Sequence, residues 1–146
     1  RQTDLLVAAG NTFNTVNIKK GQFVNGSSMI HAVNKVKSTG NNNIMLTERG
    51  SMFGMGDLVV DFRQVVDMKE LGVPVIMDCT HSTQRPNSGS TTAGQPRYAI
   101  HIANAAKAVG ADGYFFEVHE NPSAAWSDGS NMIKLDKFEE ILKQLV

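Results

Sequence analysis

The sequence predicts an α/β domain built on a parallel sheet, and three observations carry that prediction. Four short apolar runs alternate with four segments of helical character, giving the order βαβαβαβα. The runs are near-continuously apolar, as strands covered on both faces are, rather than alternating as in a sheet with one wet face. The units recur about every 30 to 40 residues, a length that suits right-handed βαβ crossovers. In chain order, the strands are expected at residues 15–18, 43–46, 73–77 and 113–118, each rich in Val, Ile or Phe and bounded by turn residues. The helices are expected at 27–37, 58–71, 98–109 and 135–145. Gly40, Gly72 and Gly110 follow the last apolar turn of the first three, where a left-handed cap would sit. Loops are expected at 25–26, 50–56 and 85–94, each between a strand and its following helix, where α/β proteins carry function. The polar, Gly/Ser/Thr-rich stretch from Arg85 to Gly94 fits a mobile lid or a slack surface loop.

Composition narrows the function. Apolar residues make up 41% and charged residues 19% of the 146, which excludes disorder, collagen and coiled coil. Fourteen basic residues balance fourteen acidic ones, so no global field draws the chain to nucleic acid or an anionic membrane. An anionic ligand would need local cations. No apolar run approaches the roughly 18 residues of a membrane span, and no basic-then-apolar leader is expected. The single cysteine, Cys79, leaves no internal disulfide and fits a reducing compartment. The chain opens at Arg1 without Met, which allows a longer polypeptide.

The alternation suits either an open doubly wound sheet or part of a closed (β/α)8 barrel, and periodicity does not choose between them. Gly50, Gly54 and Gly56 do not form G-x-G-x-x-G, and no G-K-[ST] occurs, which weakens a nucleotide reading. The polar groups are more informative. The apolar runs end in Lys19-Lys20, Glu48-Arg49, Asp78 with Thr80 and His81, and Glu117 with His119. In a parallel α/β protein all these ends lie on one side. Lys19 and Arg49 suit a phosphorylated or carboxylated ligand, but a solvated lysine and an Arg49–Glu48 ion pair would explain them equally. Lys20 is expected to face outward, opposite its neighbour. His81, Glu117 and Asp128 form an imidazole and two-carboxylate set suited to a divalent ion; a satisfied buried histidine with helix-capping acids is the other reading. His119 is a candidate for supporting that set, and His31 and His101 sit in helical segments as surface or structural residues.

Five motifs stand in order: Asn17-Ile18-Lys19-Lys20-Gly21-Gln22-Phe23, Thr47-Glu48-Arg49-Gly50, Leu58-Val59-Val60-Asp61, Asp78-Cys79-Thr80-His81-Ser82-Thr83-Gln84 and Ser127-Asp128-Gly129. With Arg1-Gln2-Thr3-Asp4 and Glu117-Val118-His119, they resemble the 3-deoxy-D-manno-octulosonate 8-phosphate synthases across essentially the whole chain. The resemblance implies the C-terminal part of a (β/α)8 barrel, starting just before the fourth strand, with the N-terminal strands absent. It implies condensation of phosphoenolpyruvate with arabinose 5-phosphate and release of inorganic phosphate, in lipopolysaccharide precursor synthesis. By the same likeness Lys19 and Arg49 hold phosphoenolpyruvate, Gln84 and Asp128 face the sugar phosphate, and Arg1 reaches that phosphate in a neighbouring subunit. His81 and Asp128 carry the catalytic roles. His81, Glu117 and Asp128 match the metal positions, with a fourth position, Cys or Asn, upstream of Arg1.

Ser127-Asp128-Gly129, with Lys20-Gly21-Gln22-Phe23 and Thr47-Glu48-Arg49-Gly50 upstream, resembles the metal-dependent members, which implies Zn, Fe or Mn. A cytoplasmic homotetramer is implied as well, with neither nucleic acid nor membrane as partner. Two other identities stay open. One is another phosphoenolpyruvate-dependent sugar synthase, of the heptulosonate phosphate or sialic acid type. The other is a non-catalytic phosphosugar-binding barrel.

Overall fold

A computed structural model describes residues 2–86 and 93–145 of the chain. In chain order the strands are β1 (Val16–Lys19), β2 (Ile44–Glu48), β3 (Val75–Asp78), β4 (Gln84–Arg85), β5 (Ala93–Gly94), β6 (Gly113–Phe115), β7 (Val118–His119) and β8 (Ile133–Lys134). The helices are α1 (Thr3–Gly10), α2 (Ile30–Lys37), α3 (Arg63–Lys69), α4 (Ala99–Ala108) and α5 (Leu135–Leu145). Single 3-10 turns lead into α2 and α4. The main sheet is parallel, in the order β1-β2-β3-β6, so the expected parallel α/β organisation is met. Gly40, Gly72 and Gly110 close α2, α3 and α4 at φ of 88°, 74° and 81°, as their positions foretold. No helix among the described residues is long and apolar enough to cross a membrane.

The register divides each strand into two sets. Ile18, Ile44, Leu46, Val75 and Met77 share one buried cluster with Val33 and Val36 of α2, Val65 and Met68 of α3, and Ala103 of α4. The partner positions Lys19, Thr47 and Ile76 align on the opposite face, as do Asp78 and Phe115. Strand alternation therefore puts Ile18, Ile44, Leu46, Val75 and Met77, with Glu48, on the helix side, and Lys19, Thr47 and Asp78 on the face that no crossover helix covers, where Thr47 and Asp78 are buried by neighbouring side chains. Lys20 corrects an expectation here. It does alternate with Lys19, but its face is the one that packs under the helices with Ile18, so Lys20 is buried, only 2% exposed. Lys19 is the one that reaches out.

The structure departs most from the sequence reading at two boundaries and in one unanticipated helix. The run 113–118 splits, because after Phe115 the chain leaves the main sheet and β7 pairs in parallel with β8. The helix expected from residue 58 begins at Arg63: Val59 bridges Ser51, and the Leu58 N–H donates to the Gln84 carbonyl, so this stretch is extended. The Asp61 carboxylate then accepts the Arg63 N–H at 3.1 Å and starts the helix. Helix α1 was not anticipated, since its short run shows no apolar stripe and Leu5 is exposed. In the expected lid, Gln84–Arg85 and Ala93–Gly94 pair antiparallel, and Arg85 binds Asp57 at 2.6 Å. Residues 87–92 of that stretch lie outside the described residues.

Candidate active site

The carboxyl ends of the four parallel strands deliver the polar groups. β1 ends on Lys19, β2 is followed by Arg49, β3 ends on Asp78 and turns through Thr80 to His81, and β6 is followed by Glu117. Asp128 arrives from the loop between β7 and β8. Its φ of 51° lies in the left-handed region, which a short polar side chain tolerates at a cost of roughly 1 kcal/mol.

Asp78 stands at the middle of the cluster and is fully buried. Its Oδ1 accepts the N–H groups of Thr80 (3.0 Å) and His81 (2.8 Å). Its Oδ2 lies 2.6 Å from Lys19 Nζ and 2.8 Å from His81 Nδ1. Burial acts to raise its carboxyl, but the His81 and Lys19 hydrogen bonds outweigh burial and hold it below the ordinary carboxylate range. The Lys19 ammonium also lies 4.9 Å from the centre of the Phe115 ring, in cation–π contact.

On its other side, His81 Nε2 lies 3.3 Å from Glu117 Oε1. The Glu117 N–H donates to Thr80 Oγ1 at 2.8 Å, which ties the β6 end to the turn after β3. Among the described residues, His81, Glu117 and Asp128 form a group whose ligand atoms all lie within 4.8 Å of one another. Glu117 Oε2 is buried and has no hydrogen-bond partner. One imidazole nitrogen, two carboxylates and an unmet buried oxygen are a donor set that fits a borderline divalent cation.

Arg49 completes the cluster. Its Nη2 donates to Gln84 Oε1 at 2.8 Å, and Gln84 Nε2 reaches Asp128 Oδ1 at 3.4 Å. Its Nη1 is buried without a partner. Burial lowers the guanidinium's pKa against the opposing pull of Asp78, Glu48 and Asp128, and it stays charged. An unpaired donor on a fixed planar cation is suited to a phosphate or carboxylate oxygen. The alternative Arg49–Glu48 side-chain pair does not form. Glu48 Oε1 instead accepts the N–H groups of Arg49 (3.1 Å) and Gly50 (2.6 Å) and lies 3.5 Å from Lys20 Nζ. Burial raises the Glu48 pKa by more than the Lys20 charge lowers it.

Lys19, Arg49, His81, Gln84, Glu117 and Asp128 are thus brought into one connected cluster. Arg1 lies outside the described residues. His119 turns to its own loop, where Nδ1 accepts the Asn121 N–H at 3.0 Å. His31 and His101 are exposed on α2 and α4. Sequence reasoning counted Asp78 and Thr80 among the strand-end polar groups without a specific role, and saw Phe115 only as part of a strand. Asp78 had a usable signal, because an Asp two and three residues before Thr80 and His81 is placed to accept their N–H groups.

Comparison with known proteins agrees with the strand-end motifs. The chain is 54% identical over 147 aligned residues to a 2-dehydro-3-deoxyphosphooctonate aldolase of Desulfatibacillum aliphaticivorans, covering 100% of this chain and 54% of that protein. It is 50% identical to the protein of the same name from Syntrophotalea carbinolica, covering 100% and 53%. A third, from Citrifermentans bemidjiense, is 50% identical, with coverage of 99% and 54%. The chain spans about half the length of the curated relatives it matches. A model of the DAHP synthetase I family matches residues 1–146, and the chain belongs to that family.

Proposed function

We propose that this chain carries the phosphoenolpyruvate-binding and metal-binding part of an enzyme that condenses phosphoenolpyruvate with arabinose 5-phosphate. The products are 3-deoxy-D-manno-octulosonate 8-phosphate and inorganic phosphate. The observation that carries the reading is the convergence of Lys19 and Arg49 with His81, Glu117 and Asp128 on one uncovered sheet face. The enol carbon of phosphoenolpyruvate bonds to the sugar's aldehyde carbon, and water adds to the neighbouring carbon. The attacking water gives one proton to the new alkoxide; the bond from that carbon to the phosphate oxygen then breaks as the added hydroxyl becomes the ketone, and its remaining proton leaves on the phosphate. Arg49 uses its unpaired Nη1, and Lys19 its partly exposed ammonium, to bind the phosphate and carboxylate of phosphoenolpyruvate. Fixed cations hold two mutually repelling anions together, which supplies proximity without reorganisation during the reaction. Gln84, held by Arg49, and Asp128, held by Gln84, orient the sugar phosphate. His81, Glu117 and Asp128 would hold a divalent ion (Zn, Fe or Mn), which supplies Lewis acidity or lowers the pKa of a bound water.

The sheet belongs to a (β/α)8 barrel, of which this chain is the C-terminal part. The order β1-β2-β3-β6 never reverses, so right-handed crossovers put the crossover helices α2, α3 and α4 on one face, whereas a doubly wound sheet has a switch point. A groove of about 590 Å³ at the β1 edge, lined by Leu5, Leu6, Ile18, Phe23 and Met29, supports coverage by preceding barrel elements. A cytoplasmic homotetramer completes the reading. Phosphate release by the complete polypeptide with arabinose 5-phosphate, against erythrose 4-phosphate and N-acetylmannosamine, tests it. Preference for arabinose 5-phosphate is expected; preference for either other sugar, or no turnover with any, contradicts it.

A further inference from the structure

We infer that Asp78 is a positioning residue that fixes the His81 tautomer, so that the Nε2 lone pair faces Glu117 and Asp128. The inference deepens the proposed function, since it rests on the same His81, Glu117 and Asp128 group. Asp78 Oδ2 is 2.8 Å from His81 Nδ1, and a carboxylate oxygen only accepts. A lone pair on Nδ1 would face that oxygen in repulsion at this distance, so Nδ1 carries the proton and donates it. The Lys19 ammonium, 3.2 Å from Nδ1, does not reverse the assignment, because Lys19 has the shorter contact of 2.6 Å to the same carboxylate oxygen.

The other carboxylate oxygen holds the ring's backbone in place. Asp78 Oδ1 accepts the N–H groups of Thr80 and His81, and Thr80 Oγ1 in turn accepts the Glu117 N–H. One buried side chain therefore sets three things: the imidazole proton, the turn that carries the ring, and the link to the β6 end. A carboxylate partner on the second ring nitrogen also makes the first a better ligand.

In Asp78→Asn the carbonyl oxygen keeps the two backbone N–H groups and the amide nitrogen faces Nδ1, a donor against a donor. His81 then moves its proton to Nε2. The test is the ring ¹⁵N spectrum of the complete polypeptide labelled at histidine, metal-free and in alkaline buffer, with His81 identified by its loss in His81→Gln. The wild type should show the Nδ1–H tautomer and Asp78→Asn the Nε2–H tautomer. A wild type already in the Nε2–H form, or the same tautomer in both proteins, overturns the inference, and the wild-type spectrum decides even if the variant does not fold. Zinc affinity by chelator competition is the companion measurement. A loss of about 10- to 100-fold in Asp78→Asn is expected, and equal affinity overturns the inference. A wild type that binds no zinc refutes the ion reading of the proposed function, while the tautomer still decides the role of Asp78.

Discussion

Lys19 and Lys20 are neighbours in the chain with the same side chain, yet they lie on opposite faces of the sheet and meet opposite surroundings. Lys20 is sealed under the helix layer, with its ammonium on the carbonyls of Gly21, Val24 and Gly50, on Ser51 Oγ, and near Glu48 at 3.5 Å. The contacts to Gly50, Ser51 and Glu48 tie the loop after β1 to the end of β2 and the loop that follows it, and those to Gly21 and Val24 brace the first loop on itself. Lys19 keeps 42% of its side chain exposed and holds one carboxylate, Asp78, over an aromatic ring. A buried charge whose partners are all within the chain maintains the fold; an exposed charge on a buried counter-ion can exchange that partner for a ligand. The strand pleat alone decides which lysine does which.

Three substitutions sharpen the comparison. Lys20→Met should have the largest effect, because it leaves Glu48 buried without its cation. Chemical denaturation should give a loss of roughly 3–5 kcal/mol, and a change within experimental error would break the contrast. Gln84→Ala, on the uncovered face, should cost less, about 1.5–3 kcal/mol, since it removes the acceptor of one charged hydrogen bond from Arg49. If it destabilises more than Lys20→Met, the uncovered face is the structural one. Glu48→Gln should have the smallest effect and should appear in pH dependence. The Glu48 pKa is raised above 4.5 in the fold, so its contribution is fully present below the unfolded value and is lost as pH rises through the folded one. Glu48→Gln should therefore flatten the fall in stability as pH rises above the ordinary carboxylate range. An unchanged slope would mean that Glu48 does not titrate in that window.

The same contrast explains what could be read from sequence. The strands at the starts of β1, β2, β3 and β6 were legible because each is a continuous apolar run closed by turn residues. The convergence of Lys19, Arg49, His81 and Glu117 followed from parallel strands, whereas Asp128, on the loop between β7 and β8, entered as a carboxylate of ligand type and through the resemblance. The facing of Lys20 was not legible, because a continuous apolar run gives no sign of which parity points to the helices. The start of α3 was misplaced since Leu58 and Val59 satisfy a helical pattern while pairing locally with Gln84 and Ser51. The pairing of Glu48 depends on a contact across 28 residues, which no local pattern encodes. Asp78 reads as an ordinary strand end until Lys19 and His81 are seen to share one of its oxygens.

The proposed function puts phosphoenolpyruvate on the uncovered face of the sheet and not on the helix-covered one. Its most direct measurement is the dissociation constant of phosphoenolpyruvate for the complete polypeptide, by titration calorimetry, with Lys19→Met compared to wild type. Loss of one charged contact should weaken binding by about tenfold or more. Wild-type affinity in Lys19→Met would contradict it.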